Sequence, residues 1–146
     1  MGDLKMASRK IEDLHPELIP LWKQFLSDCK DAGITPLITC TYRSNAEQDS
    51  IYAQGRTKPG PIVTRAKGGQ SDHNYTINGS PKSKAFDIVP LVNGKCVWNE
   101  SDVAWTQIIN VWKSLKPING YQLDWYGRKG APFSEFCHFC LIKALK

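Results

Sequence analysis

The sequence lacks the features of a membrane-spanning, fibrous or disordered protein. No apolar run approaches the ~18 residues that cross a bilayer, and the start, MGDLKMASRKIEDLHPEL, lacks the apolar core of a secretory signal. Internal repeats, low-complexity segments and long linkers rich in proline and serine are also missing. These absences predict a single domain over residues 1–146, made in the cytoplasm without a signal peptide.

The cysteines are few and odd in number, which argues against a disulfide framework. Five cysteines occur in 146 residues, and a chain of this length buries a sizeable core without the help of disulfide bonds. The sequence therefore predicts free thiols. The 19 Lys+Arg against 14 Asp+Glu leave a net charge of +5, which suits a polyanionic partner, either nucleic acid or an anionic cell-wall polymer.

Apolar periodicity and turn residues predict an α+β fold with helices packed on one side of a small, mostly antiparallel sheet. The predicted helices cover residues 16–33, 45–54 and a segment that begins after Ser101. The predicted strands cover residues 34–41, 85–92, 95–98, 123–126 and 136–142, with Asn93-Gly94 as a hairpin turn. Residues 55–70 contain two prolines, four glycines and four cations, which predicts a long basic surface loop.

Two of the three histidines lie in segments that are dense with other polar groups. His73 follows the basic loop, His138 lies in an apolar strand, and Glu135 precedes His138 by three residues. Asp87 enters another apolar strand, where a carboxylate is costly unless it is paired or bound to a cation. Two imidazoles, a carboxylate and a spare glutamate are the parts of a catalytic zinc site. Taken singly, a histidine in an apolar strand is more often a hydrogen-bonded core residue, and Asp87 is more often a cap or an ion-pair partner, than a metal ligand.

The order of the motifs resembles the VanY-like zinc peptidases related to D-Ala-D-Ala carboxypeptidases. Within them, the chain looks most like the L-alanyl-D-glutamate endopeptidases that serve as endolysins of bacteriophages. The family motifs are Tyr-Arg-Ser, Ser-x-His-x-x-Gly-x-Ala-x-Asp and Glu-x-x-His. The residues that match them are Arg43, Ser71, His73, Ala85, Asp87, Glu135 and His138.

The resemblance implies a Hedgehog/DD-peptidase-like fold and one zinc ion per chain, with His73, Asp87 and His138 as its ligands. By the same resemblance, Glu135 accepts the proton of the attacking water, and Arg43 stabilises the oxyanion of the substrate carbonyl.

Two further residues are candidates for contact with substrate. Ser71 belongs to the motif of the first ligand, and Gln48 lies one helical turn after Arg43. For Gln48, a solvated helix face is an equally good interpretation.

The sequence departs from the family pattern at two places. His73 and Asp87 are fourteen residues apart, whereas the family spaces these two ligands by seven, so we expect residues 76–84 to form an extruded loop. Gly79 lies in this loop and either corresponds to the glycine of the family motif or only turns the chain. Cys137 and Cys140 flank His138, where core packing is favoured over metal ligation. Strand alternation puts Cys140 on the side of His138 and Glu135 opposite, so Glu135 must lie on a turn or bulge if it is the base.

The predicted function is that of a zinc metallopeptidase, a hydrolase of bacterial peptidoglycan that cleaves the L-Ala-D-Glu bond and lyses the cell. The enzyme is expected to act on the cell wall as a monomer after release from the host cytoplasm, without membrane insertion. One alternative is a D,D- or L,D-carboxypeptidase. Another is a non-catalytic module that binds cell wall or nucleic acid and has a structural zinc, with Cys140 as fourth ligand. Nucleic acid is disfavoured because the basic loop contains no recognition motif.

Overall fold

The computed structural model describes residues 7–144 and has an α+β fold, as predicted. Its helices are α1 (Leu18–Asp31), α2 (Asn45–Ala53) and α3 (Val103–Ser114), with short 3-10 turns at Ile11–Asp13 and Asp72–Asn74. Its strands are β1 (Thr35–Cys40), β2 (Thr76–Ile77), β3 (Ser80–Pro81), β4 (Ala85–Val92), β5 (Lys95–Cys96), β6 (Tyr121–Trp125) and β7 (His138–Lys143). The single-domain prediction extends over residues 1–6 and 145–146, which lie outside this range.

The main sheet is antiparallel throughout and has the strand order β1-β4-β7-β6, with β5 paired to the end of β4. The predicted hairpin is confirmed, because Asn93 and Gly94 both have positive φ (51° and 76°), as a two-residue turn requires. The central position of β4 matters most for the site, since it places this strand between β1 and β7.

Helices α1 and α3 pack against one another and against the sheet. The buried face of α1 is the predicted one and comprises Leu18, Leu21, Trp22, Phe25 and Cys29. Helix α1 begins two residues later than the prediction from Pro16, and Gly33, with φ of 83°, ends it. Phe86 and Phe139 stack on neighbouring strands at 5.6 Å beneath these helices. Each such ring stabilises the fold by about 1.5–3 kcal/mol through burial, so the face of the sheet under α1 is a rigid support.

Residues 76–81 form a small hairpin of β2 and β3, which is the extruded insertion expected from the spacing of His73 and Asp87. Asn78 and Gly79 make its turn with φ of 51° and 78°, and a Cβ on Gly79 would meet no atom within 4 Å. Gly79 therefore turns the inserted loop, and no close approach of other atoms requires it. Ser83, which is buried, fixes the chain where it returns from the hairpin. Its backbone N–H donates to Asp13 O, and its carbonyl oxygen accepts from His15 N.

The hairpin lies between the segments that carry the predicted ligands His73 and Asp87 and contains neither of them. Lys82 N donates to Tyr75 O at 3.0 Å, so the two ends of the hairpin are already adjacent. We expect that replacing residues 76–81 with Asn-Gly, which closes such a pair as a two-residue turn, leaves zinc binding within about threefold of wild type. Competition with a chromophoric chelator measures this. A loss of zinc binding in a variant that still folds would contradict the extruded-loop interpretation.

None of the helices between residues 7 and 144 has the combination of length and apolarity that crossing a bilayer requires. All five cysteines lie within that range and are free thiols.

Candidate active site

The register of three strands brings three potential ligand side chains into one row. Asp87 on β4 pairs with His138 on β7 and, on its other side, with Cys40 on β1. Directly opposed residues of antiparallel strands have their Cβ atoms about 4.5–5.5 Å apart. A bulge between Ile38 and Cys40 shifts the pairing of β1, and this shift is what puts Cys40 beside Asp87.

His73 reaches the same place from the 3-10 turn Asp72–Asn74. The side chain of Ser71 caps this turn and accepts from His73 N at 3.2 Å, while Asn74 completes the reciprocal capping box. The turn is also tied to the Tyr-Arg-Ser segment, because Arg43 N donates to His73 O and the Asn74 amide donates to Arg43 O. The two motifs are thereby fixed relative to each other.

Both imidazoles point at one carboxylate oxygen. His73 Nε2 lies 3.1 Å and His138 Nδ1 3.2 Å from Asp87 Oδ1. The histidine side chains are almost fully buried, and that of Asp87 is 16% exposed. The structure thus brings together the three predicted metal ligands, whose role as ligands stays a prediction.

The donor set fits a cation. His73 Nδ1 lies 2.7 Å from the carbonyl oxygen of Thr41, which can only accept, so Nδ1 carries the proton. In the neutral imidazole, Nε2 then presents a lone pair to the Asp87 carboxylate, and two lone pairs at 3.1 Å repel unless a proton or a metal ion lies between them. Carbonyl partners of this kind commonly orient metal-binding histidines. The residues present therefore fit a divalent metal with nitrogen and oxygen ligands.

The electrostatics of the protein without a metal point the same way. Burial lowers the pKa of His73, but the Asp87 carboxylate outweighs burial and leaves that pKa well above its ordinary value. Burial raises the pKa of Asp87, and the neighbouring His73 and His138 more than offset this and hold it well below its usual range. The site therefore stabilises a positive charge beside an ionised carboxylate.

Glu135 lies on the turn that precedes β7, as the base role requires. His138 N donates to Glu135 O at 3.2 Å, and this turn brings both side chains to the same side. Glu135 Oε2 lies 3.4 Å from His138 Nδ1, and its side chain is 32% exposed. The carboxylate is thus next to the candidate metal site and accessible to water.

Arg43 approaches the second carboxylate oxygen of Asp87, Oδ2, whereas the two imidazoles contact Oδ1. Its Nη2 is 3.9 Å from Asp87 Oδ2, and its Nη1 donates to Gln48 Oε1 at 3.0 Å. Only 17% of the Arg43 side chain is exposed. The guanidinium is thus held at the edge of the site rather than in solvent.

The structure corrects the interpretation of Gln48. The sequence predicts substrate contact or a solvated face, but Gln48 is fully buried, and its amide donates to Ala66 O at 2.8 Å and to Thr64 Oγ1 at 3.3 Å. Helix α2 turns this polar residue inward, whereas the larger Ile51 and Tyr52 of the same helix are half-buried. Gln48 therefore positions Arg43 and the basic loop from the interior.

Cys40 is a neighbour of the site that sequence reasoning missed. Its Sγ lies 3.7 Å from His73 Nδ1 and 3.5 Å from Arg43 Nη2, and Cys40 forms with His73 and Asp87 a group whose potential ligand atoms lie within 4.8 Å of one another. No motif marks this cysteine, because its position depends on the strand bulge. The thiol packs against His73 and Arg43 and supports both.

Cys140, the candidate for a fourth ligand, lies in a separate cluster with Asp72 and His138, whose donor atoms are within 4.8 Å of one another. Burial raises the pKa of the Cys140 thiol well above its ordinary range, as it does that of Tyr126, which bonds to it. The thiol is therefore neutral at physiological pH. Cys140 also does not line the cleft that His73, Asp87 and His138 share.

The candidate site forms the floor of an open cleft of about 340 Å³. Ser71 and Arg43 line one wall, and Tyr126 lines another with its ring 4.6 Å from that of His138. Val63 and Phe133, both exposed, form part of the rim. Sequence patterns did not single out Tyr126 or Phe133, because both are brought to the cleft by loops. Ser71 is well placed for substrate, and that role stays a prediction.

Comparisons with known proteins agree with this arrangement. Residues 11–93, more than half of the chain, match the family VanY: D-alanyl-D-alanine carboxypeptidase. The peptidoglycan L-alanyl-D-glutamate endopeptidase CwlK of Bacillus subtilis is 33% identical over 135 residues, which cover 84% of this chain and 73% of that protein. The crystal structure of the Serratia marcescens L-Ala D-Glu endopeptidase ChiX has the same fold, with a TM-score of 0.62 and 17% identity over 97% of this chain and 90% of that chain. The chain is therefore a peptidase that belongs to the VanY family.

Proposed function

We propose that this protein is a zinc-dependent peptidoglycan hydrolase that cleaves the bond between L-Ala and D-Glu in the stem peptide. The proposal rests on one observation. Two buried imidazoles converge on Asp87 Oδ1 at 3.1 and 3.2 Å, with the accessible carboxylate of Glu135 3.4 Å from His138 Nδ1, at the floor of an open cleft.

Zinc is the metal that best suits these donors. Catalytic zinc sites use three protein ligands of nitrogen and oxygen type and leave a position for water or substrate. His73, Asp87 and His138 would hold the ion. Bound there, zinc would polarise the scissile carbonyl and lower the pKa of a water molecule towards about 7.

The protein's own residues supply the proton transfers and the charge stabilisation. Glu135 accepts the proton of the attacking water and delivers it to the leaving amine, a role that its accessible position permits. Arg43 donates to the carbonyl oxygen as negative charge develops there, and Gln48 fixes the guanidinium for this task. One well-placed donor of this kind is worth about 3 kcal/mol in the transition state.

The choice of an endopeptidase over a carboxypeptidase has two supports. CwlK, which is similar over most of the chain, is described as an L-alanyl-D-glutamate endopeptidase. The cleft also continues past Glu135 into a second depression, lined in part by Thr64 and Phe133. A substrate can therefore extend on both sides of the scissile bond, whereas an enzyme that trims a chain end needs only one side.

The biological setting is proposed as that of a phage endolysin. In this proposal, the enzyme is made in the host cytoplasm, acts as a monomer and reaches the cell wall after release. Its net charge of +5 suits the anionic wall. Expression in a bacterial cytoplasm should leave cells intact until the membrane is permeabilised, and lysis should follow within minutes only for the active enzyme.

Product analysis tests the proposed reaction. We expect purified peptidoglycan, digested with the zinc-loaded protein, to yield new C-terminal L-Ala and new N-terminal D-Glu. End-group labelling and mass spectrometry detect both termini. Treatment with a chelator should abolish them and added zinc should restore them. Free terminal D-Ala as the sole product would replace the endopeptidase with a carboxypeptidase, and release of neither product would remove the peptidoglycan assignment.

A further inference from the structure

The open cleft around His73, Asp87 and His138, hereafter the metal cleft, opens into a second cleft of about 470 Å³. Five residues line both clefts, so the two are continuous. They are Val63, Thr64, Phe133, Ser134 and Glu135. Because Glu135 is among them, a peptide whose scissile bond lies beside Glu135 has its next groups within reach of the second cleft.

Three exposed apolar side chains lie around the second cleft. Ile62, Val63 and Phe133 line it and are 59%, 53% and 40% exposed. Ile62 and Val63 come from the basic loop, residues 55–70, and Phe133 from the loop that leads to Glu135. Exposed apolar side chains that are grouped around a concave surface, with a few polar groups between them, are typical of ligand sites.

The basic loop is held in one conformation by specific contacts. Gly55 has φ of 82°, and a Cβ there would lie 2.7 Å from Ile62 Cγ1, so the loop folds tightly on itself. The Gln54 amide donates to Pro61 O at 3.0 Å, and the buried Gln48 amide bonds Thr64 and Ala66. The wall of the second cleft is thus preorganised, which lowers the entropy cost of binding.

Two arginines line this cleft and differ in how they are held. Arg56 is fixed, because its Nη1 donates to Tyr52 O and Thr64 O and its guanidinium stacks 3.7 Å above the Tyr52 ring. Arg65 is exposed between the buried Thr64 and Ala66, and the structure gives it no hydrogen bond or ion pair with any residue from 7 to 144. The guanidinium of Arg65 is therefore available to a ligand.

The other two cations of the basic loop are engaged elsewhere. Lys58 Nζ donates to Ser50 Oγ at 3.0 Å, and Lys67 Nζ lies 5.5 Å from the Tyr52 ring. Neither lines the second cleft. Among residues 7–144, the only carboxylate that lines it is Glu135, at the end shared with the metal cleft. Positive charge therefore dominates away from Glu135, and the chemistry that fits is a carboxylate on an otherwise extended peptide.

We propose that the second cleft is a subsite for the free carboxylate of the acidic residue next to the scissile bond, with Arg65 as its main binding group. This inference rests on the proposed L-Ala-D-Glu cleavage. The glutamate of that bond carries one carboxylate that is not part of the peptide chain, and a guanidinium binds such a group through two parallel hydrogen bonds. Arg56 adds fixed positive charge, and the apolar rim contacts the methylene groups.

A pair of substrates tests the subsite. One is a stem peptide with the free glutamate carboxylate, and the other is the same peptide with that carboxylate converted to the amide. We expect the wild-type enzyme to have a kcat/KM about 10- to 100-fold higher for the acid. Arg65→Gln should bring the ratio close to one, mainly by raising KM for the acid, with the amide unaffected. Lys58→Gln, which removes a cation of the same loop outside the cleft, should keep the wild-type ratio.

The possible outcomes distinguish a failure of the proposed subsite from a failure of the proposed function. Equal rates of the wild type on the two peptides, or an Arg65→Gln variant that retains the wild-type ratio, would overturn the subsite and leave the cleavage assignment standing. Absence of L-Ala-D-Glu cleavage in either peptide would instead overturn the proposed function. The affinities of the uncleaved acid and amide peptides for wild type and Arg65→Gln, measured by calorimetry, then decide on the subsite directly. Unchanged zinc content and melting temperature show that each variant is folded.

Discussion

Glu135→Gln is expected to lose roughly 10²–10⁴-fold in kcat while it retains its zinc. The amide has nearly the shape of the carboxylate but cannot accept the proton of water. Glu135 is also not one of the two residues whose side chains contact Asp87 Oδ1, which are His73 and His138. Zinc content by atomic emission and hydrolysis of a stem peptide measure the two quantities separately. Loss of activity together with loss of zinc would make Glu135 a ligand, and unchanged activity would remove it from the mechanism.

Glu100→Gln is the matched control for this experiment. Glu100 is a second carboxylate that lines the same cleft, but no ion pair joins it to an imidazole within residues 7–144. We expect its activity to stay within about twofold of wild type, because only an exposed charge is lost. A large loss in this control as well would show that cleft charge in general, rather than the base, governs the rate.

Asp87→Ala is expected to abolish both zinc binding and hydrolysis. The carboxylate is the group on which both imidazoles converge, so its removal leaves two neutral nitrogen donors and no negative charge to balance the ion. Zinc at about 100 times its dissociation constant should raise the melting temperature of the wild type by roughly 5–10 °C, and that of Asp87→Ala by nothing measurable.

Glu135→Gln serves as the control here, since it too lacks one carboxylate of the cleft. It should show the full rise in melting temperature with zinc. An Asp87→Ala variant that is still stabilised by zinc would place the metal elsewhere, and the cluster of Asp72, His138 and Cys140 would then be the first place to test.

The elements that depend on local patterns were predictable. The apolar spacing of α1 and the Asn93-Gly94 turn are properties of short segments, and both appear in the structure close to the predicted positions. Residue types alone made His73, Asp87 and His138 candidates, and the family resemblance was needed to favour them as ligands, because nothing local in the sequence relates His73 to His138. Their convergence follows from the pairing of Asp87 with His138, a contact between residues 51 positions apart.

The features that were missed depend on tertiary structure. Gln48 is polar on a short helix with a weak apolar pattern, so sequence alone could not assign it to the interior, where the backbone of the basic loop satisfies its amide. The place of Cys40 beside Asp87 depends on a bulge in β1, which shifts the pairing register. The second cleft exists because two loops meet, and loops carry no periodic signal.

The long separation of the candidate metal ligands along the chain has a kinetic consequence. Asp87 and His138 become neighbours only when β4 has paired with β7, and this pairing closes a long stretch of chain that includes α3 and β6. Contacts of such high sequence separation form late and slowly in folding. A metal ion held by the candidate ligands Asp87 and His138 would bind tightly only after this ladder has closed, so its uptake during refolding would report the pairing of β4 with β7.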